Sequence, residues 1–270
     1  MQKLIITAAL TGNVPTKELN PASPITVDEI VEDAKKCREL GASIAHMHVR
    51  DSEGKPTSDR ALFKELLEKI GAEKIDIITQ LSTGARGGEN TIAWRSQMLD
   101  LNTDMASLAT GSSNFPTSVN ANSPELIKAL ADKMYANDIK PEIEAFDVAM
   151  ISYSKWLLKK GILKGPLHFN LVMNIPGSIE GTPKNLLFMV DSLPEGSTWT
   201  VSGIGKSQIP MITLAIILGG HVRTGLEDTL MYSKGVPATN SMLIERVVRI
   251  AKELGREIAT PEEAREILGL

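Results

Sequence analysis

The stretch TVDEIVEDAKKCRELGASIAHMHVRD, Thr26 to Asp51, holds one repeating unit of the fold: a helix, a glycine stop and a strand. In its first part Ile30, Val31, Ala34, Cys37 and Leu40 fall on one stripe of a helical period. Thr26 followed three residues later by Glu29 reads as a capping box, Asp28 adds a first-turn acid, and Gly41 ends the helix. The second part, Ser43 to Val49, is a short β-rich run.

The same grammar extends along the chain. Further β-rich runs lie at Leu4 to Leu10, Asp76 to Thr83, Met105 to Thr110, Pro141 to Phe146, Leu167 to Asn174, Thr198 to Gly205 and His221 to Thr224. Between them SDRALFKELLEKIG, SPELIKALADKMYAND, TPKNLLFMVDSLP and NSMLIERVVRIAKELG repeat the helical pattern with a capping residue in front. Strict alternation without a long polar linker predicts a parallel sheet. Eight units in 270 residues predict a single (βα)8 barrel, a TIM barrel, spanning residues 1–270. A doubly wound dinucleotide fold is disfavoured, because LTGNVPT and no GxGxxG follows the first run.

A net charge of -4 argues against a general nucleic-acid or membrane-surface binder and points to a small-molecule partner. Cys37 is the only cysteine, which excludes an internal disulfide and a multi-thiolate zinc site within one chain. MQKLIITAAL lacks the basic region and cleavage site of a signal peptide, and no run approaches the roughly 20 apolar residues of a membrane span. The expected location is cytoplasmic.

In a barrel the C-terminal strand ends carry the chemistry. His46 and His48 end the second strand one residue apart, so both imidazoles face one side, as a metal requires. His168 and His221 open the sixth and eighth strands, at the opposite rim, and read as structural. A catalytic zinc needs a third protein ligand. Glu227 and Asp228, beyond the eighth strand, can divide the work, one ligating and one acting as base, with Arg223 placed to orient a carboxylate or bind a substrate acid. Glu144 shares a barrel face with Glu142 and needs a partner there. The small polar groups at Ser82 to Gly84 and Ser107 to Gly111 offer donors to a substrate oxygen. GIGKSQIP, Gly203 to Pro210, has a glycine turn opening a helix; Gly203, Gly205 and Lys206 are candidates for a cofactor phosphate.

Taken in order, HMHVRD, STG, PGSIEGTPKNLLFM, SGIGKSQIP and GGHVRTGLEDT resemble the β-keto acid cleavage enzymes of the 3-keto-5-aminohexanoate kind, over essentially the whole chain. The resemblance implies a zinc-dependent barrel that reacts a β-keto acid with acetyl-CoA to give acetoacetate and an acyl-CoA. It implies His46, His48 and Glu227 as zinc ligands, and Arg223 with Asp228 as the proton-abstracting pair. It also implies Ser82, the Ala85 backbone N–H and Ser107 as substrate contacts, and a homotetramer. Two positions depart from the pattern. Val14 stands where the lysine-fermentation members carry a glutamate that meets the substrate ammonium, and Ala109 stands where they carry a carboxamide.

Two other readings compete. A barrel zinc hydrolase of the amidohydrolase kind also uses HxH, but on its first strand and with further rim histidines. A non-catalytic metabolite-binding barrel would have no use for the full set of His46, His48, Glu227, Arg223 and Asp228.

Overall fold

The computed structural model describes residues 2–84 and 88–270. Eight parallel strands close into a barrel: β1 (Ile6–Ala9), β2 (Ile44–Met47), β3 (Ile78–Leu81), β4 (Met105–Ala109), β5 (Lys140–Ala145), β6 (His168–Met173), β7 (Thr198–Gly203) and β8 (His221–Thr224). Neighbours in sequence are neighbours in the sheet, and β8 returns to β1 in the register Thr7 to Arg223. The outer helices are α1 (Val27–Leu40), α2 (Arg60–Ala72), α3 (Ile92–Ser96), α4 (Pro124–Ala136), α5 (Val148–Lys159), α6 (Pro183–Asp191), α7 (Gln208–Leu218) and α8 (Asn240–Glu253), followed by α9 (Pro261–Leu268). Among the described residues no helix is long and apolar enough to cross a membrane.

Local chemistry explains the helix starts. Thr26 accepts from the Glu29 N–H while Glu29 caps the Thr26 backbone in return, and Asp59, Ser123, Thr182 and Thr239 cap α2, α4, α6 and α8. Cys37 packs in the layer between α1 and the sheet, where burial raises its thiol well above the usual range. Cys37 does not reach the catalytic face of the barrel.

The barrel interior is divided. At the N-terminal end Ile5, Ile44, Ile78 and Met105 form an apolar floor, plugged from below by Ala259, Ala264 and Leu268. Above that floor the inward positions are polar: Gln80, Ser107, Glu142, Asn170, Ser202 and Arg223 are all buried. Barrels of this type are usually filled with Val, Ile and Leu. A polar filling puts donors and acceptors directly beneath the catalytic rim. His168 and His221 lie at the strand starts, as expected: His221 Nδ1 accepts from the Ile5 N–H, and His168 faces Glu142 at 3.5 Å.

The second strand is shorter than its sequence suggests. β2 stops at Met47, because Val49–Arg50 turns aside to pair with Pro56–Thr57 in a small antiparallel ribbon. The Arg50 guanidinium then donates to the carbonyls of Gly12, Pro15 (2.6 Å) and Gly54 (2.8 Å). These bonds pin the loop after β1, which carries Val14, against the rim.

Candidate active site

His46 is the last inward residue of β2. Its Nδ1 lies 2.7 Å from Gln80 Oε1 on β3. An amide oxygen only accepts, so Nδ1 carries the hydrogen and the Nε2 lone pair faces the rim. His48, one residue beyond the strand, turns its own Nε2 to within 3.3 Å of His46 Nε2. Glu227 closes the triangle, with Oε2 3.5 Å from His46 Nε2 and Oε1 3.3 Å from His48 Nε2.

The turn after β8 fixes Glu227. Its N–H donates to the Ala9 carbonyl at 3.2 Å, and a side chain at Gly225 would overlap that same carbonyl. Gly12 is packed against the Glu227 side chain, where a Cβ would collide with it. Both glycines are therefore required by close approach. Glu227 and Asp228 do not cap the following helix, since Thr239 does that.

Three electron-rich groups meeting here suit a cation. Burial lowers His46 to about 4, with Arg223 adding to the effect, so the ring is neutral at physiological pH. Burial alone would raise Glu227, but Arg223 and the two histidines outweigh it and hold the carboxyl well below its ordinary range. Glu227 Oε2 is buried without a hydrogen-bond partner. The ligand atoms lie within 4.8 Å of one another, and two imidazoles with one carboxylate leave a position open, the composition of a catalytic zinc site. Gln80 supplies the outer hydrogen bond that fixes the histidine tautomer at such a site.

Beside this triangle Arg223 Nε and Nη2 donate to the two oxygens of Asp228 at 3.0 and 2.9 Å. Nη2 also meets Glu227 Oε1 at 2.9 Å, and Nη1 lies 3.8 Å from Glu144 Oε1. Three carboxyl groups thus surround one guanidinium, and Glu227 and Asp228 alone, when ionised, exceed its charge, an excess that a divalent ion would balance. Burial raises Asp228 above the usual carboxylate range, against the pull of Arg223. Burial pushes Glu144 up to about 8, again opposed by Arg223.

These groups open onto one cavity of about 750 Å³, lined by His48, Ser82, Glu144, Arg223, Glu227 and Asp228 and, toward solvent, by Val14, Gly205 and Lys206. Ser82 Oγ accepts from the Gly84 N–H at 3.2 Å. Ser107 lies deeper, accepting from the Thr83 N–H at 3.1 Å, and is absent from the cavity lining. Gly203 lets the backbone at Ser207 and Gln208 approach. The Gly205 N–H is used by the Asp228 carbonyl at 2.9 Å. Ala85 lies outside the described residues.

Sequence reasoning missed several participants. Gln80 was legible in principle, being inward with Ile78 and Ser82 at the two-residue period of β3. The ribbon Met231–Ser233 with Val236–Pro237, and Tyr232, Lys234 and Arg246 along the cavity mouth, gave only a Lys-Gly turn as a signal.

The family model for beta-keto acid cleavage enzyme matches residues 3–270. The chain is 46% identical over 272 residues to the 3-keto-5-aminohexanoate cleavage enzyme of Fusobacterium nucleatum subsp. nucleatum, covering all of this chain and 99% of that protein. It is 44% identical over 273 residues to the 3-oxoadipate:acetyl-CoA acetyltransferase of Cupriavidus necator, covering all of this chain and 95% of that one. Among solved structures, apo ObcA superposes with a TM-score of 0.79 at 20% identity, over 93% of this chain and 66% of that chain, which shows a shared fold.

Proposed function

Since the chain belongs to the beta-keto acid cleavage enzyme family, we propose that it reacts a β-keto acid with acetyl-CoA, giving acetoacetate and a new acyl-CoA. The observation that supports this most directly is one cavity lined by His48 and Glu227 of the triangle together with the Arg223–Asp228 pair. A zinc hydrolase of the amidohydrolase kind fits less well, because HxH ends β2 and His168 faces the opposite rim.

His46, His48 and Glu227 would hold a zinc ion, which when bound supplies Lewis-acid polarisation of the 3-keto oxygen. Asp228, oriented by Arg223, takes a C2 proton from the keto acid, and its raised affinity for that proton suits a general base. The resulting carbanion attacks the acetyl carbonyl of acetyl-CoA and expels the CoA thiolate. That thiolate attacks the former 3-keto carbon, the C2–C3 bond breaks, and acetoacetate leaves with the proton returned by Asp228. No protein nucleophile is required. Incubation with acetyl-CoA and a panel of β-keto acids should yield acetoacetate and the matching acyl-CoA in equal amounts. A panel giving neither product would overturn the reading.

The keto acid has an uncharged, short or apolar tail. Val14 lines the cavity in place of a carboxylate, and Phe115, Phe146 and Val172 continue the apolar wall. Glu144, with a pKa of about 8, is mostly protonated at neutral pH and offers no full counter-charge. An ammonium group placed there would lose solvation without compensation. Val14 is 54% exposed, so the penalty is modest. We expect Val14→Glu to shift kcat/KM by about tenfold, roughly 1.4 kcal/mol, toward 3-keto-5-aminohexanoate over an uncharged 3-ketohexanoate. A wild type already preferring the amine would contradict this.

A homotetramer is the assembly we propose, supported by the outer surface of α7. Its 11 residues include no charge, and Ile217 and Leu218 are exposed, as are Leu187 and Phe188 of the neighbouring α6. Such a surface on an outer barrel helix calls for a covering partner. Light scattering should give about four times the 29.2 kDa chain mass, and Ile217→Lys should lower it. A monomeric wild type would exclude the assembly.

A further inference from the structure

We propose that the phosphate groups of the CoA thioester are held by Lys206, Lys234 and Arg246 at the outer end of the catalytic cavity. The proposal rests on the acetyl-CoA reading above. It adds an assignment for the phosphates and a role for the ribbon after β8.

All three cations line the cavity whose inner end holds His48, Glu227 and Asp228. They come from separate elements: Lys206 from the turn between β7 and α7, Lys234 from the tip of the 231–237 ribbon, and Arg246 from the second turn of α8. Their convergence is a product of the fold. In a chain of net charge -4 it does not follow from a generally basic surface.

Arg246 is the firmest part of this cluster. It is only 7% exposed, its guanidinium carbon sits 3.4 Å above the Tyr232 ring centroid, and Nη2 donates to the Tyr232 carbonyl at 2.6 Å. Stacking fixes the plane of the guanidinium and leaves its remaining N–H groups available for a ligand. Arg249 stands behind, donating to the Tyr232 hydroxyl at 3.4 Å. Among the described residues no carboxylate lies within ion-pair distance of Lys206, Lys234, Arg246 or Arg249. The carboxylates that line the cavity, Glu144, Glu227 and Asp228, are turned toward Arg223. A buried guanidinium without a counter-ion, on one cavity with two exposed lysines that also have none, is a site prepared for an anion.

Geometry selects which anion. The keto acid must reach Asp228 at the inner end, so its carboxylate cannot also occupy the mouth. A CoA thioester enters with its acetyl group inward, its pantetheine arm passes Ile204, Ile209 and Leu230, and its diphosphate and 3′-phosphate emerge among the cations. At this turn the N–H groups of Ile204, Gly205 and Ser207 already donate to Met173, Asp228 and Ile204 carbonyls. Recognition therefore falls chiefly to side chains.

Acetyl-CoA and S-acetylpantetheine, which shares the thioester and lacks the nucleotide and its phosphates, separate this idea from the reading beneath it. In Lys206→Ala/Lys234→Ala the KM for acetyl-CoA should rise at least tenfold at low salt with kcat retained, while kcat/KM for S-acetylpantetheine stays within twofold of wild type. Wild-type kcat/KM for acetyl-CoA, but not for S-acetylpantetheine, should fall as salt is raised. Arg246→Lys, which keeps charge but loses the planar stack, should show a smaller loss of the same kind. Equal penalties for both thioesters, or none for either, would overturn the assignment. If wild type turned over neither thioester, the proposed function would fail. Calorimetric titration with CoA would then test the site alone: binding lost in the double variant supports it, and undiminished or absent binding overturns it.

Discussion

We expect the Asp228→Asn variant to keep the fold and the metal content of the wild type and to lose turnover. The amide matches the carboxylate in size, and its oxygen can still accept from Arg223, which holds Asp228 through two bonds of 2.9 and 3.0 Å. What it cannot do is take a proton. Loss of a positioned general base costs about 10²- to 10⁴-fold, and the loss should appear in kcat with little change in KM, because the binding surface is unaltered. Zinc content by atomic emission should stay at one per chain. A collapse of zinc content would exchange the roles of Asp228 and Glu227.

His46→Ala removes metal and activity together. Of the three proposed ligands His46 is the most completely enclosed, and its Nδ1 is already committed to Gln80 at 2.7 Å. The two groups left, His48 and Glu227, are too few to hold zinc against a chelator, so metal content should fall from about one per chain to near zero. Gln80→Leu is the graded companion. It keeps all three ligands while freeing the ring tautomer, and a loss of about 10- to 100-fold in metal affinity is expected. Full occupancy in His46→Ala after dialysis against a chelator would show that the ligand set is wrong.

The barrel was legible because each unit repeats its own punctuation. The Thr26 and Glu29 capping box, the Gly41 stop and the eight β-rich runs all reappear in the structure, with strand ends trimmed by at most two residues, β8 unchanged and β5 beginning one residue earlier. The trimming has local causes, as where Val49 and Arg50 leave the sheet to pair with Pro56 and Thr57. α3, α5 and α9 escaped notice: α3 spans five residues, and the amphipathic pattern of α5 is blurred by an apolar outer residue such as Trp156. The meeting of His46, His48, Arg223, Glu227 and Asp228 at one rim could be read from strand position, since a barrel brings its C-terminal strand ends together. Ser107 could not be distinguished from Ser82 in this way. Both point inward, but Ser107 is one layer deeper and covered by Thr83. The mouth was least visible, because Arg246 reaches the cavity from the flank of an amphipathic helix, and no periodicity separates such a residue from an ordinary surface arginine.

The junction of β1 with β8 gives the molecule an order in time. His46 and His48 stand on one side of that junction and Glu227 on the other, and Glu227 is set in place by the carbonyl of Ala9 on β1 itself. A growing chain makes the histidines long before it makes the glutamate. Until the eighth strand docks, the two imidazoles have no carboxylate beside them, and an ion there would have only a weak, exchangeable perch. An ion firmly held at this triangle would therefore be a mark of a finished ring.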